Sequence, residues 1–235
     1  MRQMAIAWGR KTIRFSVARE DRSSLKITVT PDSSVFVRVP SKATDSEIAE
    51  RVRRRAGWID AQQHDFSLWK PRTPPRSYIS GETHKYLGRA LRLHVRESLR
   101  NAVTVTQSRL VMETLGEKSR SERADLLWRW YATKAPSHFR QRLAVQHKLF
   151  ARLLPDPPTL IARRMTNRWG SYTKRGNLVL NVELIQVSTR LLDYVITHEL
   201  AHAAYWGHGR DWQGLMTAVM PDWRERKSAL EKALL

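Results

Sequence analysis

The sequence predicts an α+β chain, with an amino-terminal antiparallel sheet and one helix ahead of a carboxy-terminal part in which a hairpin precedes a buried helix. Three observations predict it. Between residues 11 and 39 apolar and polar residues alternate in short runs, the period-two signature of half-buried strands. From 118 to 153, and again from 188 to 202, apolar residues recur at helical spacing. Between these, Lys174-Arg175-Gly176 separates two strand-like runs.

Taken in order, residues 11–20, 25–31 and 34–40 read as strands, with a turn at Pro31-Asp32-Ser33-Ser34. A helix follows over 41–70, started at Thr44-Asp45, with Ile48, Val52, Ala56 and Ile59 on its inner side and Trp58 and Trp69 closing it against the sheet. Lys70 to Arg76 is basic and proline-rich and reads as a linker or crossing loop. Beyond it the sheet continues, through a Gly81-Glu82-Thr83 turn and a strand pair around Gln107-Ser108. The long helix over 118–153 carries Leu126, Leu127, Trp130, Ala135, Phe139, Leu143 and Val145, and Pro136 is expected to interrupt it. Asn177 to Leu184 forms the second arm of the hairpin, and Ser188 caps the buried helix after it. The division drawn on this pattern is 1–117 for a basic sheet region and 118–235 for the rest, compatible with one continuous domain. No internal repeat is visible.

Among the 235 residues there are 42 Lys and Arg against 22 Asp and Glu, a formal charge of +20. Such an excess favours polyanionic partners, nucleic acid or nucleotides. Arg51, Arg53, Arg54 and Arg55, interleaved with Trp58 and Trp69, suit a nucleic-acid strand, although four arginines in five positions also describe a solvated helix. There is no cysteine, which excludes disulfides, thiolate ligands and cysteine nucleophiles. Neither a signal peptide nor a membrane span is visible, so a cytoplasmic location and no membrane partner are expected. Oligomeric state is not legible.

The chemistry concentrates in Thr197-His198-Glu199-Leu200-Ala201-His202. On a helix, His198 and His202 lie one turn apart on one face, as two nitrogen ligands of one Zn²⁺ require. Glu199 stands where a general base can take a proton from the metal-bound water. His208 lies six residues further, too far along a continued helix to share the ion. The chain must turn, and Gly207 and Gly209 are suited to ending the helix in left-handed conformations. A third ligand from His208 leaves one position open, as a catalytic site needs; Asp211 and Glu225 are the alternatives. The spacing equals that of the metzincin motif HExxHxxGxxH, but Tyr205 stands at its glycine.

Around this core, Arg168-Trp169-Gly170-Ser171, Asn177-Leu178-Val179-Leu180-Asn181, Asp193-Tyr194-Val195, His208 and Met220-Pro221-Asp222-Trp223 share order and spacing with the YgjP-like metallopeptidase domain family. The chain resembles that family, which is related to SprT-like and Wss1-like zinc proteases, strongly over 160–235 and more loosely before. The resemblance implies a zincin-like carboxy-terminal part, zinc on His198, His202 and His208, and Glu199 as base. It also departs: Tyr172 stands where the family has a cysteine, so no role of that cysteine transfers. Arg168, Trp169, Asn181 and Tyr205 are candidate substrate-binding residues, with packing the alternative role for Trp169 and Trp206. An edge strand beside the metal can hold an extended peptide; Asn177 to Leu184 is a candidate whose alternating side chains equally suit plain core.

The expected function is therefore a zinc metallopeptidase acting on polypeptide, with a basic surface for nucleic acid. Two other readings stand beside it, a metal-dependent nucleotide hydrolase and a basic nucleic-acid-binding module with a structural zinc.

Overall fold

A computed structural model describes residues 2–30, 33–68, 76–166 and 168–233, with the side chains of 65–68 left aside. Eleven strands and six α-helices are assigned among them. The chain divides into two compact units, Met1–Thr73 and Pro74–Leu234.

The first unit opens with β1 (Arg2–Trp8), β2 (Lys11–Glu20), β3 (Lys26–Val29) and β4 (Val35–Pro40). β1 went unread in the sequence because Arg2 to Trp8 shows little alternation. The strand order is β1-β2-β4-β3. β1 and β3 pair antiparallel to their neighbours, but β2 and β4 run parallel, so the sheet is mixed rather than antiparallel. The expected single helix is two, α1 (Asp45–Arg54) and α2 (Ala56–Leu68). Thr44 starts α1 in a capping box with Glu47, which satisfies two of the otherwise orphaned N–H groups. Ile48, Val52, Ala56 and Ile59 are fully buried against Phe15, Val37 and Val39, as their spacing requires. Trp58 is not: it is 44% exposed and closes nothing. Trp69, most of the linker and Pro31-Asp32 lie outside the described residues.

The second unit opens on the same plan. β5 (Thr83–Tyr86), β6 (Arg89–Glu97), β7 (Ala102–Val105) and β8 (Arg109–Thr114) take the order β5-β6-β8-β7, again with antiparallel outer pairs and a parallel centre. A helix follows, α3 (Arg120–His147), again started by a capping box, Ser119 with Glu122. The four-strands-then-helix arrangement is thus repeated along the chain. It was invisible as sequence because what repeats is backbone pairing and alternation, which many apolar residues satisfy. A turn is present at Gly81, at φ 92 with Glu82 N donating to Ile79 O at 3.2 Å, but it precedes β5; the turn joining β5 and β6 is at Leu87-Gly88, both at positive φ. Pro136 lies inside α3 without ending it. Its ring removes a bond to the carbonyl of Ala132, which sits on the exposed side where water can replace it.

A third sheet has the order β10-β11-β9: β9 (Thr159–Arg163), β10 (Gly170–Tyr172) and β11 (Asn177–Asn181). Beyond it come a short 3₁₀ turn at Val182–Gln186 and then α4 (Thr189–Ala201), α5 (Arg210–Val219) and α6 (Trp223–Ala233). Leu91, Leu93, Leu110 and Met112 of the β5–β8 sheet share one core with Leu127 and Phe139 of α3 and Ile196 and Leu200 of α4. The compact unit therefore begins near residue 74, and the division expected at 117/118 falls inside it. None of the described helices is long and apolar enough to cross a membrane.

Polar contacts fix α3 against α4. Arg142 donates two bonds of 2.8 Å to the carboxylate of Asp193, and Thr197 donates to Gln146 at 3.1 Å with both side chains buried. Removing Arg142 strands a largely buried carboxylate, with only 11% of its side chain exposed. Arg142→Ala should cost about 2 kcal/mol, while Arg142→Met with Asp193→Leu should cost less than the single change, as measured by urea unfolding.

Candidate metal centre

α4 owes its position to contacts at both ends. The β5–β6 turn docks just ahead of it, with Leu87 N donating to Ile185 O at 2.8 Å and Gly88 N to Gln186 O at 3.1 Å. A Cβ on Gly88 would lie 2.8 Å from Cα of Ser188, so only glycine permits this approach. Ser188 occupies the N-cap position, but its side chain makes no capping bond; its carbonyl accepts from Leu191 and Leu192. Leu191, Leu192, Val195, Ile196 and Leu200 are buried. That apolar stripe turns His198 and His202 to the opposite edge, one turn apart.

After Ala201 the helix tightens, Ala203 N donating to Leu200 O and Ala204 N to Ala201 O. Neither Gly207 nor Gly209 takes a positive φ; Gly209, at φ −67, is instead the N-cap of α5. The reversal expected of left-handed glycines is achieved by these tight turns. It brings His208 back, with its Nε2 3.1 Å from His198 Nε2, and ligand atoms of His198, His202 and His208 lie within 4.8 Å of one another. Two nitrogens on one tetrahedral zinc sit roughly 3.3 Å apart, so the donor set fits. Neither Asp211 nor Glu225 belongs to this group.

The outer nitrogens are occupied. His198 Nδ1 lies 3.4 Å from the Tyr194 hydroxyl, and His202 Nδ1 lies 2.9 Å from the Tyr205 carbonyl. A proton on Nδ1 serves both contacts and leaves the inward Nε2 lone pairs to a metal. Burial, then the neighbouring His202 and His208, holds His198 down to about 3. His208 is also lowered, first by burial. Both rings are thus neutral near pH 7, the form that ligates. Trp212, 2% exposed, packs with its ring centroid 4.8 Å from His198 and 4.6 Å from His208.

Glu199 is buried beside them, and burial raises its pKa to about 7 against the opposing pull of the Tyr172 N–H and the Arg168 charge. Tyr172 N donates to Glu199 Oε2 at 3.0 Å. A Cβ on Gly170 would lie 2.7 Å from Glu199 Cγ. Glycine at 170 therefore lets β10 approach the carboxylate, and the main chain of Tyr172 holds it. The tyrosine in place of cysteine leaves this contact intact because only the backbone is used.

A cleft of about 510 Å³ opens over these groups, walled by Arg168, Trp169, Tyr172, Trp206 and Leu230. Arg168 and Trp169, two of the candidate substrate-binding residues, both line it. Asn181 is not in the wall: it is 1% exposed, donates to Met165 O and Arg168 O and accepts from Glu183 N, so it shapes the loop that carries Arg168. Tyr205 contributes its carbonyl to His202 rather than its ring to the cleft. β11 lies between β9 and β10, so the strand edge at the site belongs to β10 and the alternating apolar residues of β11 are core. Gly170, Tyr194 and Trp212 were not singled out by sequence reasoning for these roles. Glycine in the strand pattern was the one readable signal.

The family model described as YgjP-like, metallopeptidase domain, matches residues 23–233. Protein SprT of Klebsiella pneumoniae is 27% identical over 89 residues, covering 34% of this chain and 54% of that protein. Protein SprT of an Enterobacter strain is 28% identical with the same coverage. The chain thus spans about half the length of the curated relatives it matches. The crystal structure of the metallopeptidase zymogen of Methanocaldococcus jannaschii jannalysin aligns with 39% of this chain and 88% of its own, at 18% identity and a TM-score of 0.35.

Two outcomes follow. Tyr194→Phe removes the partner of His198 Nδ1 and should weaken zinc affinity about tenfold, read by chelator competition. Glu199 is protonated in the metal-free fold up to about pH 7, whereas its unfolded value is 4.5; stability is therefore lost as pH rises through that window. Glu199→Gln should stabilise the metal-free protein by up to about 3 kcal/mol above pH 7 and leave it unchanged below about pH 4, read by unfolding at each pH.

Proposed function

The chain belongs to the YgjP-like metallopeptidase family, and from that premise we propose that it is a zinc peptidase using Glu199 as general base on an extended peptide held along β10. The carrying observation is a buried carboxylate beside three convergent imidazoles, under a strand with one unpaired edge. His198, His202 and His208 would hold the ion, which when bound supplies a Lewis acid that acidifies water and polarises the scissile carbonyl.

The protein groups divide the remaining work. Burial keeps Glu199 basic enough to accept a proton near neutrality, and the Tyr172 N–H fixes one of its oxygens. Thr173 N and the Trp169 carbonyl bond to β11, so by alternation the main-chain groups of Gly170 point the other way, towards a substrate strand. Arg168, charged and on the wall, suits a substrate carboxylate or negative charge developing on the carbonyl oxygen. No observation favours nucleotide hydrolysis: among the described residues the three histidines form the only group of three or more potential ligands, with no second acid-rich site. A purely structural zinc would have no use for a buried carboxyl tuned to about 7.

Glu199→Gln should reduce kcat/KM on unfolded polypeptide at least about a hundredfold while zinc content stays unchanged; full activity with zinc bound would remove Glu199 from the mechanism. Arg168→Gln, by removing a charge that lowers the Glu199 pKa, should move the acidic limb of the pH–rate profile upwards.

A further inference from the structure

The first unit carries a second cleft, of about 520 Å³, lined by Lys26, Arg51, Arg54, Arg55 and Trp58 over the apolar Leu25 and Ile27. All its walls come from β3 and the residue before it, and from α1, its C-cap Arg55 and α2. Four cations and no carboxylate line it. Arg54 pairs with Glu50, while Lys26, Arg51 and Arg55 are exposed. Trp58 is 44% exposed in the same cleft, a large apolar surface left in water.

The repeated plan shows that this face is not open for lack of a packing solution. Counting from the N-caps Thr44 and Ser119, Arg51 and Arg55 of the first unit correspond to Leu126 and Trp130 of the second. There the same positions are apolar, Trp130 buried in the core and Leu126 half-buried against it. In the first unit they are cationic and exposed, beside an indole.

We propose that this cleft binds single-stranded nucleic acid, with Lys26, Arg51 and Arg55 on phosphates and a base stacked on Trp58. Cations alone would suit any polyanion. The indole selects a partner with both closely spaced phosphates and unstacked bases, which a duplex does not offer. The proposal is independent of the peptidase reading, because no residue of the cleft belongs to the site on α4.

The test is fluorescence anisotropy of a labelled twelve-nucleotide oligothymidylate at several salt concentrations, using the full chain. Binding should be unchanged in Glu199→Gln. Lys26→Gln with Arg51→Gln and Arg55→Gln should weaken it more than tenfold and reduce the slope of log affinity on log salt by about 2. Trp58→Ala should weaken it about tenfold with the salt slope unchanged. These side chains are exposed, and unfolding curves matching the parent would show that the fold is intact. Parent-like affinity in either variant overturns the proposal, as does a duplex of equal length or an anionic lipid vesicle bound as tightly as the oligothymidylate.

Discussion

The close approach of β10 to α4 at Gly170 is the constraint on which the site depends. A buried carboxyl is costly unless something orders it, and here one peptide N–H accomplishes that, at a distance that a side chain at 170 would forbid. The same approach sets the edge of β10 that faces away from β11 beside Glu199. Basicity of Glu199 and its orientation therefore come from one packing decision, and the Arg142–Asp193 and Thr197–Gln146 contacts tie α4 to α3 behind it.

The two compact units use one plan for different ends. In each, two antiparallel hairpins join through a parallel centre and lead into a capped helix. In the second unit the helix is extended to 28 residues, and its apolar faces anchor the machinery around α4. In the first, the helix is short, one side packs on the sheet and the other presents arginines. The shared frame is a solution to backbone pairing; the use made of the outward face is set by individual side chains.

Local patterns were legible. The strand at 11–20, the strand pair around Gln107-Ser108, the inward set Ile48, Val52, Ala56 and Ile59, and the buried face of α4 all follow from periodicity, which reflects geometry within one element. The pairing of β2 with β4 and of β9 with β11 did not, since parallel partners are joined over long separations and alternation is blind to direction. Asn181 illustrates the difficulty at the site: a polar residue near the motif suggested substrate, but in the fold it satisfies loop carbonyls from a buried position.

By itself the sequence determined two candidate donors, because a histidine pair four apart with a glutamate between them meets ligand geometry on any helix, and it left the third among His208, Asp211 and Glu225. Only the tertiary structure decided what that set can do. The main-chain hold on Glu199 and the strand edge above it arise between segments distant in sequence, and the return of His208 depends on the tight turns after α4. Such contacts depend on packing distances of a few tenths of an ångström, which residue types and spacing do not encode.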